Sequence, residues 1–505
     1  MTKSVSADHQ DEALKSDCSN WLFSIEDVDS AIKDNLKLGK AAGIDNIVAE
    51  HIVYAHPAVV FHLTKLFNLI ICHGYVPNTF GHSIIVPLIK DRCGDLTKLS
   101  NYRGISLSPV TAKLFEACLS NKFSCFLSSH NLQFGFKKNS SCASAIFVVQ
   151  QAVNFFTTRG SDVYLSALDA SKAFDRINHN ILFQKLVGRN APQCLMNIIK
   201  NWYHKLTAVV RWNSTLSYSF NLFCGVRQGG VLSPLLFNIY VDDLICELEM
   251  CKLGCCINGI YLGCVMYADD LLLMSTSVLT LQSMLDLCHE YGTMHDIIFN
   301  YKKSCCMIIG SKRSCKVDNM LLNNVPIEWV DSIKYLGVVF TGGNRLIVDC
   351  SYVKRKFYAA CNAVLVKCKH ASDIIRLHLI KSYCLPLLTY CIGAIDLPHY
   401  KVRELGVCWN DCFRKIFHYN RWESVSELQY YCGEMPFEFI FDLCKWNFLA
   451  KLCTVPIVDS VALFSRLNMH VIDSLSVKYK SSGFSCYSRK CAVWQYFSEQ
   501  FHCMP

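Results

Sequence analysis

Two groupings of carboxylates stand out for the company they keep. In Leu262-Gly263-Cys264-Val265-Met266-Tyr267-Ala268-Asp269-Asp270-Leu271-Leu272-Leu273-Met274, adjacent acids separate two apolar runs. In Tyr164-Leu165-Ser166-Ala167-Leu168-Asp169, an apolar strand ends on an acid, and Ala170-Ser171-Lys172-Ala173-Phe174-Asp175 follows. Adjacent carboxylates beside a buried sheet repel one another and lose hydration, so they must take up protons or cations. Mg²⁺ suits such a site, because it prefers hard oxygen ligands and is commonly shared between a few carboxylates and substrate phosphates. Three acids from two neighbouring strands could clamp two cations about 3.5–4 Å apart, activate an attacking hydroxyl and stabilise a leaving pyrophosphate. Without the Asp169 grouping, Asp269-Asp270 would read as a solvated turn on an ordinary hairpin.

A second acidic pair imitates the first. Tyr240-Val241-Asp242-Asp243 lies downstream of Ser233-Pro234 in a helical apolar pattern, and helical spacing points its two acids in different directions. Zinc-like spacings are poor. Cys408 and Cys412 with His418 fall on an expected helix, and Cys486, Cys491, His502 and Cys503 have irregular gaps.

The elements that must position the acids follow from hydrophobic periodicity. Val163 to Asp169 has a strand pattern, Ile181 to Tyr203 a helical one, and the glycine-rich loop Gly225–Gly230 leads into an apolar helix from Val231 to Leu248. Upstream, residues 1–20 read as a polar, disordered tail, Ile25–Leu38 and residues 57–75 as helices, and Ser83–Ile89 as a strand before the polar loop Lys90–Asn101. After Phe340 the pattern becomes mainly helical, with Ile374, Leu377, Ile380, Cys384, Leu387 and Cys391 recurring at three to four residues.

Composition sets outer bounds. A chain of 505 residues exceeds the size at which a single core stops growing, so several subdomains are expected. With 52% hydrophobic and 18% charged residues it is too apolar for disorder. The stretch Tyr383–Ile395 contains Pro386 and falls short of the roughly 18 residues of a membrane span, so it is expected to be a buried helix and no membrane partner is expected. The N-terminus has neither a signal-peptide nor a presequence pattern, which leads us to expect an intracellular protein. The 30 cysteines include adjacent pairs and read mostly as reduced core thiols. A net charge of +9 fits a polyanionic partner without deciding for one.

Over residues 20–400 the motifs resemble, in order, those of the reverse transcriptases of non-LTR retrotransposons, the long interspersed elements of jockey-like type. Lys40-Ala41-Ala42-Gly43-Ile44-Asp45 looks like the family's N-terminal extension. Val86-Pro87-Leu88-Ile89-Lys90, Asn101-Tyr102-Arg103-Gly104-Ile105-Ser106-Leu107 and Leu132-Gln133-Phe134-Gly135-Phe136 resemble the motifs that follow it. Then come the Asp169 motif, Gly225-Val226-Arg227-Gln228-Gly229-Gly230-Val231-Leu232-Ser233-Pro234, Tyr267-Ala268-Asp269-Asp270, Asn300-Tyr301-Lys302-Lys303-Ser304 and Tyr335-Leu336-Gly337-Val338.

The resemblance implies an α+β right-hand polymerase that copies RNA into DNA. Its parts would be a helical N-terminal extension (21–80), fingers (81–163), a palm with an antiparallel, RRM-like sheet (164–340, with interleaved fingers segments), a helical thumb (341–450) and a C-terminal region of unknown role (451–505). It assigns Asp169, Asp269 and Asp270, with the Ala170 carbonyl, to two Mg²⁺ ions, Mn²⁺ being an alternative. Lys90, Arg103, Phe174, Gln228 and Gly229 would hold the deoxynucleoside triphosphate, with Phe174 excluding a ribose 2′-hydroxyl. Lys303 would protonate the pyrophosphate, although Lys302 is adjacent. Leu336 and Gly337 would grip the primer. Implied partners are an RNA template, a DNA primer and their hybrid.

Gly104, Arg227 and Gly230 depart from residues common in the family, and no nuclease or ribonuclease H motif is recognised, so a nuclease supplied elsewhere is expected. A nuclear location is suspected without a signal in the sequence that shows it. A decayed copy that binds RNA without catalysis is the alternative from another class; a maturase-like relative is a third.

Overall fold

A computed structural model of the chain describes residues 18–311, 317–452, 462–481 and 485–502. All but the last three residues of the expected N-terminal tail, and Cys503, lie outside these. The described residues form two compact units assembled from interleaved segments: one from residues up to 130, 170–247 and 288–299, the other from 131–169, 248–287 and 300 onward.

The first unit is built on helices around a short sheet. Its opening helix Ile25–Asn35 starts where Ser24 accepts the Asp27 amide at 3.1 Å and the Asp27 carboxylate accepts the Ser24 amide at 3.0 Å, so two otherwise orphaned donors are satisfied at once. The apolar helix Ala58–His73 follows, and Phe67, Phe80, Phe115 and Trp202 meet ring to ring at 5.0–6.2 Å in the core. The strand His82–Ile89 pairs antiparallel with Tyr102–Leu107 and parallel with Thr207–Trp212.

The single helix expected over Ile181–Tyr203 is two helices, His179–Gly188 and Gln193–His204. Asn190 in the left-handed region and Pro192 at the next helix's N-cap turn the chain between them.

The second unit centres on a six-stranded sheet in the order Met320–Leu322, Val325–Trp329, Cys305–Ile309, Val163–Asp169, Asp270–Ser275, Cys264–Tyr267. Four neighbouring pairs are antiparallel, and Cys305–Ile309 runs parallel to Val325–Trp329. The Val163–Asp169 strand therefore lies inside the sheet, which explains its near-continuous apolar run. A separate three-stranded sheet begins with Ser332–Tyr335 and Val338–Thr341.

Beyond it come helices, as the periodicity predicts, but the apolar segment is longer than expected. Residues 373–394 form the one stretch among the described residues long and apolar enough to span a membrane by length and composition. It is broken into the helices Asp373–Tyr383 and Leu385–Thr389 and a 3₁₀ turn at Ile392–Ala394. The buried line runs through Leu377, Ile380, Cys384, Leu388 and Ile392, so Leu387 and Cys391 stand half-buried beside it and Ile374 is exposed. Cys408 and Cys412 are buried on the helix His399–Phe417, where the Cys412 and Cys361 sulfurs stand 3.3 Å apart. They are core thiols there, and the cysteines among the described residues are free.

Candidate active site

The sheet register places the acids. Asp169 ends one strand directly opposite Asp270 on its antiparallel neighbour, and Asp270 in turn pairs with Tyr267 across a two-residue turn of Ala268 and Asp269. Facing residues in such a pair lie about 4.5–5.5 Å apart, so charges from all three carboxylates overlap. Desolvation at the strand end, and then the charges of Asp269 and Asp169, push the Asp270 carboxyl up to about 6. Among the described residues no three His, Cys, Asp or Glu side chains close into a ready-made chelate. An open carboxylate cluster that repels itself is a donor set that a hard divalent cation fits, with water and phosphate oxygens completing its shell.

Several residues secure this corner. Ala268 adopts φ +56°, a left-handed conformation that costs an L-residue about 1–2 kcal/mol. The buried Gln133 side chain holds it at both ends: its Oε1 accepts the Ala268 amide at 2.9 Å and its Nε2 donates to the Ala268 carbonyl at 3.3 Å. Neighbouring Gly135 is required for close approach, since a Cβ there would sit 2.4 Å from the Ala268 nitrogen. Below the hairpin, the buried Tyr335 hydroxyl donates to the Val265 carbonyl at 3.0 Å.

The segment Asn300–Ser304 wraps around Asp169. The Asn300 amide donates to the Asp169 carbonyl at 2.8 Å, the Ser304 hydroxyl faces the Asp169 amide at 3.4 Å, and Lys303 Nζ lies 3.5 Å from Asp169 Oδ2. Of the two adjacent lysines, Lys303 is thus the one turned to the acids. Leu336 and Gly337, at φ +45° and +82°, form the tight turn between Ser332–Tyr335 and Val338–Thr341, where two positive φ values match a type I′ hairpin. The Tyr390 hydroxyl donates to the Leu336 carbonyl at 2.9 Å.

The other expected site residues belong to the first unit and form their own arrangement. Lys90 follows the strand His82–Ile89, its Nζ 3.0 Å from the Ser100 carbonyl, and Arg103 is exposed opposite Leu88 with no ion pair among the described residues. The Gln228 carbonyl accepts the Ser106 amide at 2.7 Å, its Nε2 donates to Asp175 at 3.0 Å, and Gly229 at φ +124° comes so near that a Cβ would sit 2.7 Å from the Ser106 oxygen. Phe174 is half-buried and stacks on the buried Phe237 at 4.5 Å and 7°, which fixes the plane of its ring. Ala170 forms a bridge with Phe299.

The imitating pair is on the helix Ser233–Met250 and fully engaged: Asp242 pairs with Arg189 and accepts the His130 amide at 2.6 Å, and Asp243 pairs with Lys185 at 2.5 Å.

Residues 90–340 match the model of the reverse transcriptase (RNA-dependent DNA polymerase) family. They belong to that family. The match carries with it the α+β polymerase fold expected from the motifs. Retrotransposon proteins are among the curated relatives. The chain is 25% identical over 296 residues to the Pol polyprotein of the type-2 retrotransposable element R2DM of Drosophila melanogaster, covering 56% of this chain and 27% of that protein. It is 24% identical over 351 residues to a putative 115 kDa protein of the R1DM element of the same species, covering 68% and 32%. It is also 25% identical over 335 residues to the RNA-directed DNA polymerase of the mobile element jockey of Drosophila funebris, covering 63% and 35%. The chain thus spans about a third of the length of these relatives. Among solved structures, a telomerase of Candida albicans in complex with a telomeric RNA fragment is 12% identical, with a TM-score of 0.42 over 74% of this chain and 68% of that one.

Gln133, Ser304 and Tyr335 stand inside the motifs with no role assigned by the resemblance, and the buried Glu116 lies outside all of them. A lone amide between Leu132 and Phe134 was the available signal for Gln133, since a polar group in an apolar run must find a partner.

Proposed function

We propose that this chain copies an RNA template into DNA by two-metal nucleotidyl transfer, as the polymerase of a non-LTR retrotransposon. The observation that carries the reading is the register that sets Asp169 opposite Asp270 with Asp269 in the adjoining turn. Asp169, Asp269 and Asp270 would hold two Mg²⁺ or Mn²⁺ ions, with the Ala170 carbonyl as a further ligand. Such ions activate the primer hydroxyl and neutralise charge on the phosphates. Lys303, beside Asp169, supplies a proton to the departing pyrophosphate, and Lys90 and Arg103 neutralise the triphosphate. Gln228 and Gly229 lie along the nucleotide, and the Leu336–Gly337 turn holds the primer end. The partners are then an RNA template, a DNA primer, their hybrid, deoxynucleoside triphosphates and a nuclease supplied elsewhere. The fingers, palm and thumb ranges expected from the sequence belong to the same proposal. Primer extension on an RNA template with Mg²⁺ tests it, and equal incorporation by the parent and the Asp269→Ala variant rejects it.

Two further results are expected. Phe174→Ala opens the space beside the sugar, so incorporation of ribonucleotides relative to deoxynucleotides rises about a hundredfold, the scale on which a pocket senses one hydroxyl. Competition assays with paired nucleotides measure this, and unchanged sugar discrimination removes the assignment.

The second result concerns pH. Asp270 must lose its proton to bind a cation, so metal affinity at pH 5 is about tenfold weaker than above pH 6.5, one decade for each pH unit below the raised value. Without metal the folded carboxyl holds its proton more tightly than the unfolded chain does, so the contribution of Asp270 to stability, read as the melting difference between the parent and Asp270→Asn, falls as pH rises from about 4 to 6. Added Mn²⁺ reverses the fall. A metal-free melting difference between the parent and Asp270→Asn that stays flat over this window contradicts the crowding of the three acids.

A further inference from the structure

We infer that Gln133 is a positioning residue for the acidic turn: its buried side-chain amide holds Ala268 in the left-handed conformation that aims Asp269 and Asp270. The inference rests on the reading of those acids as the metal ligands and adds a residue to it that lies 135 positions from the turn it serves.

The geometry is specific to a primary amide. Donor and acceptor are both used on the same residue, since Nε2 donates to the Ala268 carbonyl while Oε1 accepts the Ala268 amide. Oε1 also accepts the Gly135 amide at 3.0 Å, which ties the side chain back to its own segment. That segment is itself docked as an edge on the catalytic hairpin, with the Phe134 amide donating to the Met266 carbonyl at 2.8 Å and the Met266 amide donating to the Leu132 carbonyl at 2.9 Å. Gln133 is fully buried, so water cannot replace it at Ala268. Ala268 is also nearly buried, and alanine has no intrinsic preference for positive φ, so the turn depends on these outside hydrogen bonds.

Gln133→Met tests this, because it keeps the volume and removes both hydrogen bonds to Ala268 together with the one from Gly135. In primer extension on RNA with Mg²⁺, kcat is expected to fall between tenfold and a hundredfold, the scale of a small misplacement of reacting groups, while KM for the nucleotide stays within about twofold. Mn²⁺ binding to the full chain without nucleic acid, read by electron paramagnetic resonance, weakens about tenfold, and hydrogen exchange over Met266–Asp270 accelerates. A second change separates positioning from mere packing. Ala268→Gly placed on the Gln133→Met chain lets the turn adopt positive φ without help, and it should recover severalfold in kcat and Mn²⁺ affinity, whereas damage from lost core packing would persist.

Unchanged Mn²⁺ affinity and unchanged exchange in Gln133→Met overturn the inference, as does a complete failure of Ala268→Gly to rescue. A parent chain that extends no primer removes the polymerase reading, and the exchange and rescue measurements still decide the role of Gln133.

Discussion

Asp269→Ala is expected to reduce RNA-templated primer extension by about a thousandfold or more, while Asp242→Ala leaves it within a few fold. Losing one of three acids that share a cation pair removes several kcal/mol of charge stabilisation from the step, and each 1.36 kcal/mol is a factor of about ten. The fold should not suffer at the same position. Asp269 is one of the charges that raise the Asp270 carboxyl, so its removal relieves repulsion, and the metal-free variant should melt no lower than the parent.

Asp242 has the opposite profile. Its carboxylate is buried against Arg189 and the His130 amide, so alanine there strands a cation and a donor and lowers stability by about 2 kcal/mol, while the metal corner is untouched. Steady-state extension and thermal melting of both variants give a crossed pattern, one losing catalysis and the other stability. Loss of Mn²⁺ binding in Asp242→Ala would mean that the wrong Tyr-x-Asp-Asp sequence had been assigned.

The crossed pattern follows from something local enough to be legible in the sequence. Both pairs are consecutive aspartates after a tyrosine, but one interrupts strand-like runs and the other sits in a helical repeat, and the two periods aim side chains differently. The strand ending on Asp169 and the hairpin around Asp269 were legible for the same reason.

The supports were not. Gln133 meets Ala268 from 135 residues away, and Ser304 meets Asp169 across the same separation, so a local window does not show which residue either of them supports. The interruption at Asn190–Pro192 was missed because apolar residues continue on both sides of it. The C-terminal residues were opaque for another reason. Their cluster of Met435, Trp446, Leu475, Tyr479, Val493 and Phe497 is filled out by half-buried Phe439, Ile440, Leu443, Trp494 and Tyr496, so apolar residues spread around the helices and no single stripe stands out.

Arg227 is the most instructive departure from the family pattern, and its replacement is expected to be among the most destabilising single changes in the first unit. Its guanidinium pairs with Glu116 at 2.5 Å, donates to the Phe80 carbonyl at 2.9 Å and lies 5.3 Å from the Trp202 ring, with both charged side chains nearly inaccessible. Glu116 does more than neutralise it: the second carboxylate oxygen accepts the Val231 and Leu232 amides just before the helix Ser233–Met250, and it lies where a Cβ on Gly230 would intrude at 3.2 Å. The two departures, Arg227 and Gly230, are therefore accommodated by a single acid.

Removing Glu116 leaves a buried cation and two orphaned amides. Glu116→Leu should cost about 3–5 kcal/mol, a melting shift on the order of 10 °C for a unit of this size. Arg227→Met should cost less, because the remaining carboxylate keeps its two backbone donors. The double variant should be more stable than Glu116→Leu alone, since no unpaired charge remains, yet less stable than the parent, because the Val231 and Leu232 amides stay uncapped. Strictly additive losses in this cycle would mean that the two side chains do not act as a pair. The Gln228–Gly229 backbone rests on Ser106 independently of Glu116, so the double variant should retain sugar discrimination wherever it remains folded.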